Sequence, residues 1–258
     1  MLRILSALVM APVALFCVWL GSPWLAGLLV IIILAAGAEW RTIAAIDGAS
    51  LRALLIVVPL FVLIASEVGS PAAGVVVLLV GIVLTIGAFS EPLGDRLWTL
   101  TAQLHLALPV IAILSLRTQP HTGLDLVAFM FVMVWMSDIG GYITGRLVGG
   151  PRMAPRISPN KTWSGAFGAV LFPLAAAVML AHIFSVEVEP VLAVAALLSA
   201  VAQAGDLTVS LVKRRFGVKD SGTLIPGHGG VLDRIDGLLF AAPALALIVL
   251  LFGTDFIS

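Results

Sequence analysis

The chain has 258 residues, 61% of them hydrophobic and only 11% charged, with a mean hydropathy of +1.17 and a formal net charge of zero. A water-soluble domain this apolar could not cover its own surface, so the composition excludes the ordinary globular class and points to the bilayer as solvent. The balanced charge excludes a generic basic nucleic-acid binder, and a single cysteine, Cys17, excludes an intramolecular disulfide and a cysteine zinc cluster.

The opening run MLRILSALVMAPVALFCVWL pairs a positive start with an apolar stretch, as a cleaved signal peptide does. Apolar segments continue along the chain, so this run reads instead as the first of about nine spanning helices. They centre on 4–20, 23–46, 51–66, 71–90, 97–116, 124–146, 164–184, 190–212 and 238–254. Breakers separate most of them: Gly21-Ser22-Pro23, Asp47-Gly48, Gly69-Ser70-Pro71, Glu91-Pro92, Gln119-Pro120, the 147–163 loop and Glu189-Pro190. No stretch is hydrophilic for long enough to form a soluble domain. The predicted fold is all-α, a polytopic integral membrane protein forming one membrane domain over 1–258.

Charge sidedness is a separate check. With nine spans, thirteen of the 14 Lys and Arg residues fall on one side of the membrane and Arg117 alone falls on the other. Positive residues mark the cytoplasmic side, so the N-terminus is placed there and the C-terminus outside, in a cytoplasmic (inner) membrane. The sequon-like Asn160-Lys161-Thr162 then lies in a cytoplasmic loop and cannot be glycosylated.

Two carboxylates interrupt apolar segments: Asp138 in VWMSDIGGY and Asp206 in AVAQAGDLTVS. An ionised group there is costly and should face a polar cavity or a cation. Asp138 precedes Arg146 by eight residues and Asp206 precedes Lys213 by seven. At a helical rise of 1.5 Å per residue, both lie about 10–12 Å below the basic ends of their helices, a depth at which they could line one cavity. Asp233 and Asp236 share a face if the last helix begins near Val231. Carboxylates converging under a basic rim would repel one another, and a hard divalent ion such as Mg²⁺, with a second cation as an option, relieves that. Each acid also has a plainer reading: a proton relay, a transport site or a buried anchor for Asp138 or Asp206, and a helix cap for Asp233 and Asp236.

The stretch SLVKRRFGVKDSGTLIPGHGGVLDRID, residues 210–236, gathers eight charged side chains and His228. Its turn Pro226-Gly227-His228-Gly229-Gly230 lets the backbone approach a ligand, and N–H groups leading into a helix make a phosphate cradle. Lys213, Arg214, Arg215 and Lys219 supply charge to the same anion. The plainer readings are a tight connection for the glycines, a turn residue for His228 and a membrane-anchoring end for the basic run. No P-loop and no dinucleotide-binding fingerprint is present. Together these residues describe phosphoryl or nucleotidyl transfer between a cytosolic phosphate compound and a lipid.

The same stretch closely resembles the pattern of phosphatidate cytidylyltransferases, S-x-x-K-R-x4-K-D-x-G-x2-L-P-G-H-G-G-x-x-D-R-x-D, with one residue of flexibility in the middle. SDIGGYITGR, APRISPNKTWSG and QAGDLTVS are similar to further blocks of that family, so the resemblance covers 137–236, and the first 120 residues match in hydropathy alone. It implies that CTP and phosphatidic acid give CDP-diacylglycerol and pyrophosphate with Mg²⁺. By that resemblance Asp206 and Asp233 hold metal and Asp138, Asp220, Asp236 and Lys219 support the chemistry, with Asp236, beside Asp233, also placed among the metal acids. Ser158, Lys161, Thr162, Ser210, Lys213, Arg214, Gly227, His228, Gly229, Gly230 and Arg234 then bind substrate. The chain departs from the pattern at Val209 and Ser164, where Glu is usual, and at Asn160, where Lys is common. Residues 1–120 read as a scaffold and the place for homodimer contacts, and 121–258 as catalytic helices and cytoplasmic loops, with membrane lipids as surroundings.

Two rivals differ in class. A secondary transporter also buries carboxylates and breaks helices, but it needs no basic, glycine-rich cytosolic loop beside them, and no matched half-repeats are seen. The second rival is a different lipid enzyme, such as a CTP-dependent lipid alcohol kinase, which shares only the CTP. A CDP-alcohol phosphotransferase would carry a spaced D-G…A-R…G…D…D run, which is absent.

Overall fold

Proline and glycine set most of the helix boundaries. A computed structural model describes residues 2–225 and 229–257, with residues 2–8 described by backbone alone. The helices in chain order are α1 (Leu2–Leu20), α2 (Trp24–Ala44), α3 (Ala49–Val68), α4 (Pro71–Ile86), α5 (Leu93–Arg117), α6 (Gly123–Leu147), α7 (Trp163–Phe184), α8 (Val188–Arg215), α9 (Leu232–Ile235) and α10 (Leu238–Phe252). Helix α4 starts on Pro71, where a missing N–H costs nothing, and Ser70 Oγ caps it by accepting from Ala73 N at 3.2 Å. Helix α5 follows Pro92 directly.

The all-α membrane class holds. Against the expectation of about nine spans, seven helices among the described residues are long and apolar enough to cross a bilayer: α2, α3, α5, α6, α7, α8 and the run Leu232–Phe252. Val9–Leu20 and Pro71–Ile86 are apolar but shorter. The 16 residues of α4 rise about 24 Å, less than the roughly 30 Å of a hydrocarbon core. One element was not expected: β1 (Arg152–Ala154) and β2 (Ser158–Thr162) pair antiparallel as a small hairpin in the 147–163 loop.

The chain divides into two units, one of residues 1–118 and 215–235, the other of 119–214 and 236–258. In the first, Val58, Val62, Leu78, Ala107 and Ile111 form a core where α3, α4 and α5 meet. Gln103 Nε2 donates to Thr85 Oγ1 at 2.9 Å within this helix packing, which places a polar pair where lipid could not satisfy it. Arg117 Nε donates to the Val18 carbonyl at 2.8 Å and so satisfies the end of α1.

In the second unit α6 and α7 approach closely through glycine. A Cβ added at Gly140 would overlap the Gly168 carbonyl, and one at Gly168 would overlap Thr144 Oγ1. Small residues at such a contact are how spanning helices pack when lipid is as apolar as they are. The last helix does not run unbroken from Val231. It is interrupted at Asp236-Gly237 between α9 and α10. A Cβ at Gly237 would press on Val134 and Ala202, so close packing explains the glycine at the break. The continuous helix assumed for the shared face of Asp233 and Asp236 is therefore not formed.

Candidate active site

In the second unit, α6, β2, α7 and α8 enclose a cavity of about 510 Å³. Asp138 and Asp206 both line it, together with Arg146, Lys161, Thr162 and Gln203. Asp138 is exposed there on α6, and Asp206 stands on α8. Lys161, from the end of the hairpin, places Nζ 2.5 Å from Asp206 Oδ2. Ser210, one turn further along α8, donates its Oγ to Asp206 Oδ1 at 3.3 Å. Asp206 thus has one oxygen toward a cation and the other toward a hydroxyl.

Asp236, near the start of the last spanning run, belongs to the same unit. Its Oδ1 accepts from Gly237 N at 2.8 Å. Lys213 is buried near the end of α8. Arg214 Nε donates to the Ile157 carbonyl at 3.1 Å and fastens α8 to the hairpin. Arg146 Nη1 donates to Tyr142 Oη at 2.8 Å, one turn back on α6.

Thr162 and Ser164 have local tasks. Thr162 Oγ1 accepts from Gly165 N at 3.1 Å and caps α7, and it lies 2.9 Å from Ser164 Oγ. Ser164 Oγ in turn donates to the Gly149 carbonyl, so this serine joins the end of α6 to the start of α7. Val209 is fully buried on α8, while Asn160 lines the cavity and Ser158 opens β2 opposite Ala154.

The first unit holds the other half of the motif. Asp233 Oδ2 accepts from Ser221 N at 2.9 Å and from Gly230 N at 3.1 Å. Gly229 has φ +84, and a Cβ there would crowd Asp233 Oδ2. Lys219, Asp220 and Arg234 are exposed. Gly227 and His228 lie outside the described residues.

Glu39, on α2, was missed by the sequence reading. It is buried, and accepts from Ser221 Oγ at 3.0 Å, Val231 N at 2.7 Å and Leu232 N at 2.9 Å. Three successive N–H groups, of Gly230, Val231 and Leu232, are therefore taken by the protein's own carboxylates. The signal available was the lone acid in ILAAGAEWRTI, the same cue that singled out Asp138 and Asp206.

The donor set can be tested against a metal. Carboxylate oxygens are the hard ligands Mg²⁺ prefers, and in the second unit Lys161 Nζ occupies a cation's place beside Asp206. Among the described residues no three His, Cys, Asp or Glu side chains form a metal-holding group. That still fits Mg²⁺, which is commonly held by one or two carboxylates and completed by substrate phosphates.

Comparison with known proteins gives a consistent result. The family model of the cytidylyltransferase family matches residues 1–252. The chain is 36% identical over 263 residues to a phosphatidate cytidylyltransferase of Brucella suis, covering 97% of this chain and 93% of that one. It is 42% identical over 130 residues to one of Staphylococcus haemolyticus, half of each chain. With one of Haemophilus influenzae it shares 38% identity over 174 residues, 60% of each chain.

Proposed function

We infer that this chain, which belongs to the cytidylyltransferase family, transfers the cytidylyl group of CTP to phosphatidate, leaving CDP-diacylglycerol in the membrane and releasing pyrophosphate. The observation that carries this reading is the likeness to an enzyme of that activity over 97% of the chain. The enzyme is a nucleotidyltransferase of phospholipid biosynthesis.

The chemistry asks little covalent help from the protein. A phosphatidate oxygen attacks the α-phosphorus of CTP while the bond to the pyrophosphate oxygen breaks, and catalysis is positioning and charge stabilisation. The lipid phosphate is already an anion, so no side chain is needed to make the nucleophile. Lys161 can leave Asp206 for a phosphate oxygen, and Lys213 and Arg146 add positive charge in the same unit. Three of the elements lining the cavity, α6, α7 and α8, are apolar enough overall to span a membrane, so an acyl chain can stay in lipid while the headgroup reaches the charges.

Mg²⁺ belongs to this proposal. Asp206 and Asp236 would hold it, with Asp138 as a supporting acid, and Asp233 is added from its place in the motif. When bound it would offset triphosphate charge at the reacting phosphorus. Nine spans, the short Val9–Leu20 and Pro71–Ile86 included, would put the N-terminus and the site on the cytoplasmic side of the inner membrane, which the distribution of Lys and Arg supports.

Purified protein in mixed micelles with phosphatidate and CTP labelled at the α-phosphate should yield labelled CDP-diacylglycerol and one pyrophosphate per turnover. Lipid labelled only from γ-labelled CTP would make it a kinase, and substrate exchange in liposomes without turnover would make it a transporter. Either result defeats the reading.

A further inference from the structure

We propose that Glu39 is a positioning residue for the transfer reaction: it fixes the segment carrying Asp233 by binding Ser221 and the backbone of Val231 and Leu232. The inference rests on the reading that Asp233 works in the reaction.

The geometry is specific to a carboxylate. Oε2 accepts from Ser221 Oγ at 3.0 Å and Leu232 N at 2.9 Å, while Oε1 accepts from Val231 N at 2.7 Å. Both oxygens therefore face a backbone donor. An amide in either orientation would set its NH₂ against one of those N–H groups.

These contacts interlock with those of Asp233. Ser221 gives its hydroxyl to Glu39 and its N–H to Asp233. Gly230 N binds Asp233, and the next two N–H groups bind Glu39. The two ends of the segment, residue 221 and residues 230–232, are thus clamped by two carboxylates that share Ser221. A Cβ at Gly230 would collide with both Ser221 Oγ and Glu39, so this glycine is required by the clamp.

A local cap would have served if helix α9 merely needed one. Short polar residues beside a helix start do that routinely. Here a carboxylate is buried in a spanning helix, 182 to 193 residues away in sequence from its partners. A buried charge of this kind is costly and needs charge-assisted hydrogen bonds to persist. What it gains is a fixed backbone under Asp233.

The test uses the full-length enzyme in mixed micelles, with Glu39→Gln, Ser221→Ala and Asp233→Asn. Measured are kcat, KM for CTP and for phosphatidate, the thermal midpoint, and hydrogen exchange over residues 219–235. Leaving a buried N–H without a partner should lower kcat of Glu39→Gln roughly ten- to hundredfold with both KM values within about twofold. Exchange at residues 221 and 230–232 should accelerate. Ser221→Ala, which removes one neutral donor, should lose about two- to tenfold.

A merely structural Glu39 would lower the thermal midpoint and leave kcat of the folded protein at its wild-type value, which overturns the inference. Unchanged exchange in the segment overturns it too. If Glu39→Gln does not fold, Ser221→Ala decides by the same readouts. An inactive Asp233→Asn beside a wild-type Glu39→Gln sinks the positioning role alone. A fully active Asp233→Asn sinks the reading it rests on, and the inference with it.

Discussion

Two pairs of carboxylates, one pair in each unit, take opposite kinds of partner. In the second, Asp206 faces a lysine side chain and a serine hydroxyl, and Asp138 is open to the cavity. In the first, Glu39 and Asp233 are held largely by backbone N–H groups. A side-chain partner on a flexible four-carbon stem can leave when a phosphate arrives. A backbone partner cannot leave without moving the chain. On the reading proposed above, Asp206 exchanges partners during the reaction, Glu39 holds the loop in shape, and Asp233 works from the place those backbone groups give it.

The comparison breaks most sharply at Asp206. Asp206→Asn keeps the volume and the hydrogen bond to Ser210 but removes the charge that faces Lys161. Turnover should fall about 10²–10³-fold, the scale of losing one preorganised electrostatic group. The thermal midpoint should stay near wild type, because the pair is partly exposed at 26% and 30% and adds little to stability. A matching fall in thermal midpoint would mean that Asp206 holds structure as Glu39 does.

Gly230→Ala probes the opposite unit. The added methyl would meet Ser221 Oγ and Glu39, so the segment must shift. Overpacking of this kind costs about 1–3 kcal/mol, read as a lower midpoint accompanied by reduced kcat. Wild-type values for both would show that the segment yields freely and that the backbone partners do not constrain it.

Much of the fold is legible in the sequence because its punctuation is covalent. Pro71 and Pro92 lie at helix starts for reasons local to those residues, and the segments 124–146 and 164–184 lie within α6 and α7. The hairpin 152–162 was not legible, since strands of three and five residues, RMA and SPNKT, are too short and too polar to show alternation. The break at Asp236-Gly237 was missed for another reason. The glycine there answers to the approach of Val134 and Ala202, which no local pattern records. The site divides the same way. Asp138 and Asp206 announce themselves as charges in apolar helices, and their common cavity follows from matched depth. Glu39 also interrupts an apolar helix, yet AEWR reads as an ordinary helix end, and its partners lie some 180 residues downstream. The single acid was visible, whereas the clamp it completes was not.

Lys161 tests exchange within the second unit. Lys161→Met preserves much of the stem and deletes the charge, leaving Asp206 uncompensated where a triphosphate must approach. KM for CTP should rise roughly tenfold, in line with the loss of one charged hydrogen bond. Higher salt should narrow the gap, since a partly exposed charge is screened. Equal KM values at low salt would show that Lys161 stays with Asp206 throughout the reaction.

The smallest expected effect belongs to Thr162, where the motif suggests phosphate binding and the geometry shows a cap. Its Oγ1 accepts from Gly165 N, and Ser164, having given its own proton to the Gly149 carbonyl, is left to accept from Thr162. The hydroxyl then has a donor and an acceptor within the protein. Thr162→Ala should cost about 1 kcal/mol through loss of the cap and lower the midpoint by about 2–4 °C. KM for CTP and phosphatidate should stay within about twofold, and Thr162→Ser should restore the midpoint. A rise in KM at an unchanged midpoint would instead move this hydroxyl to the phosphates, because a cap acts through α7 and cannot alter binding without first loosening the helix it starts.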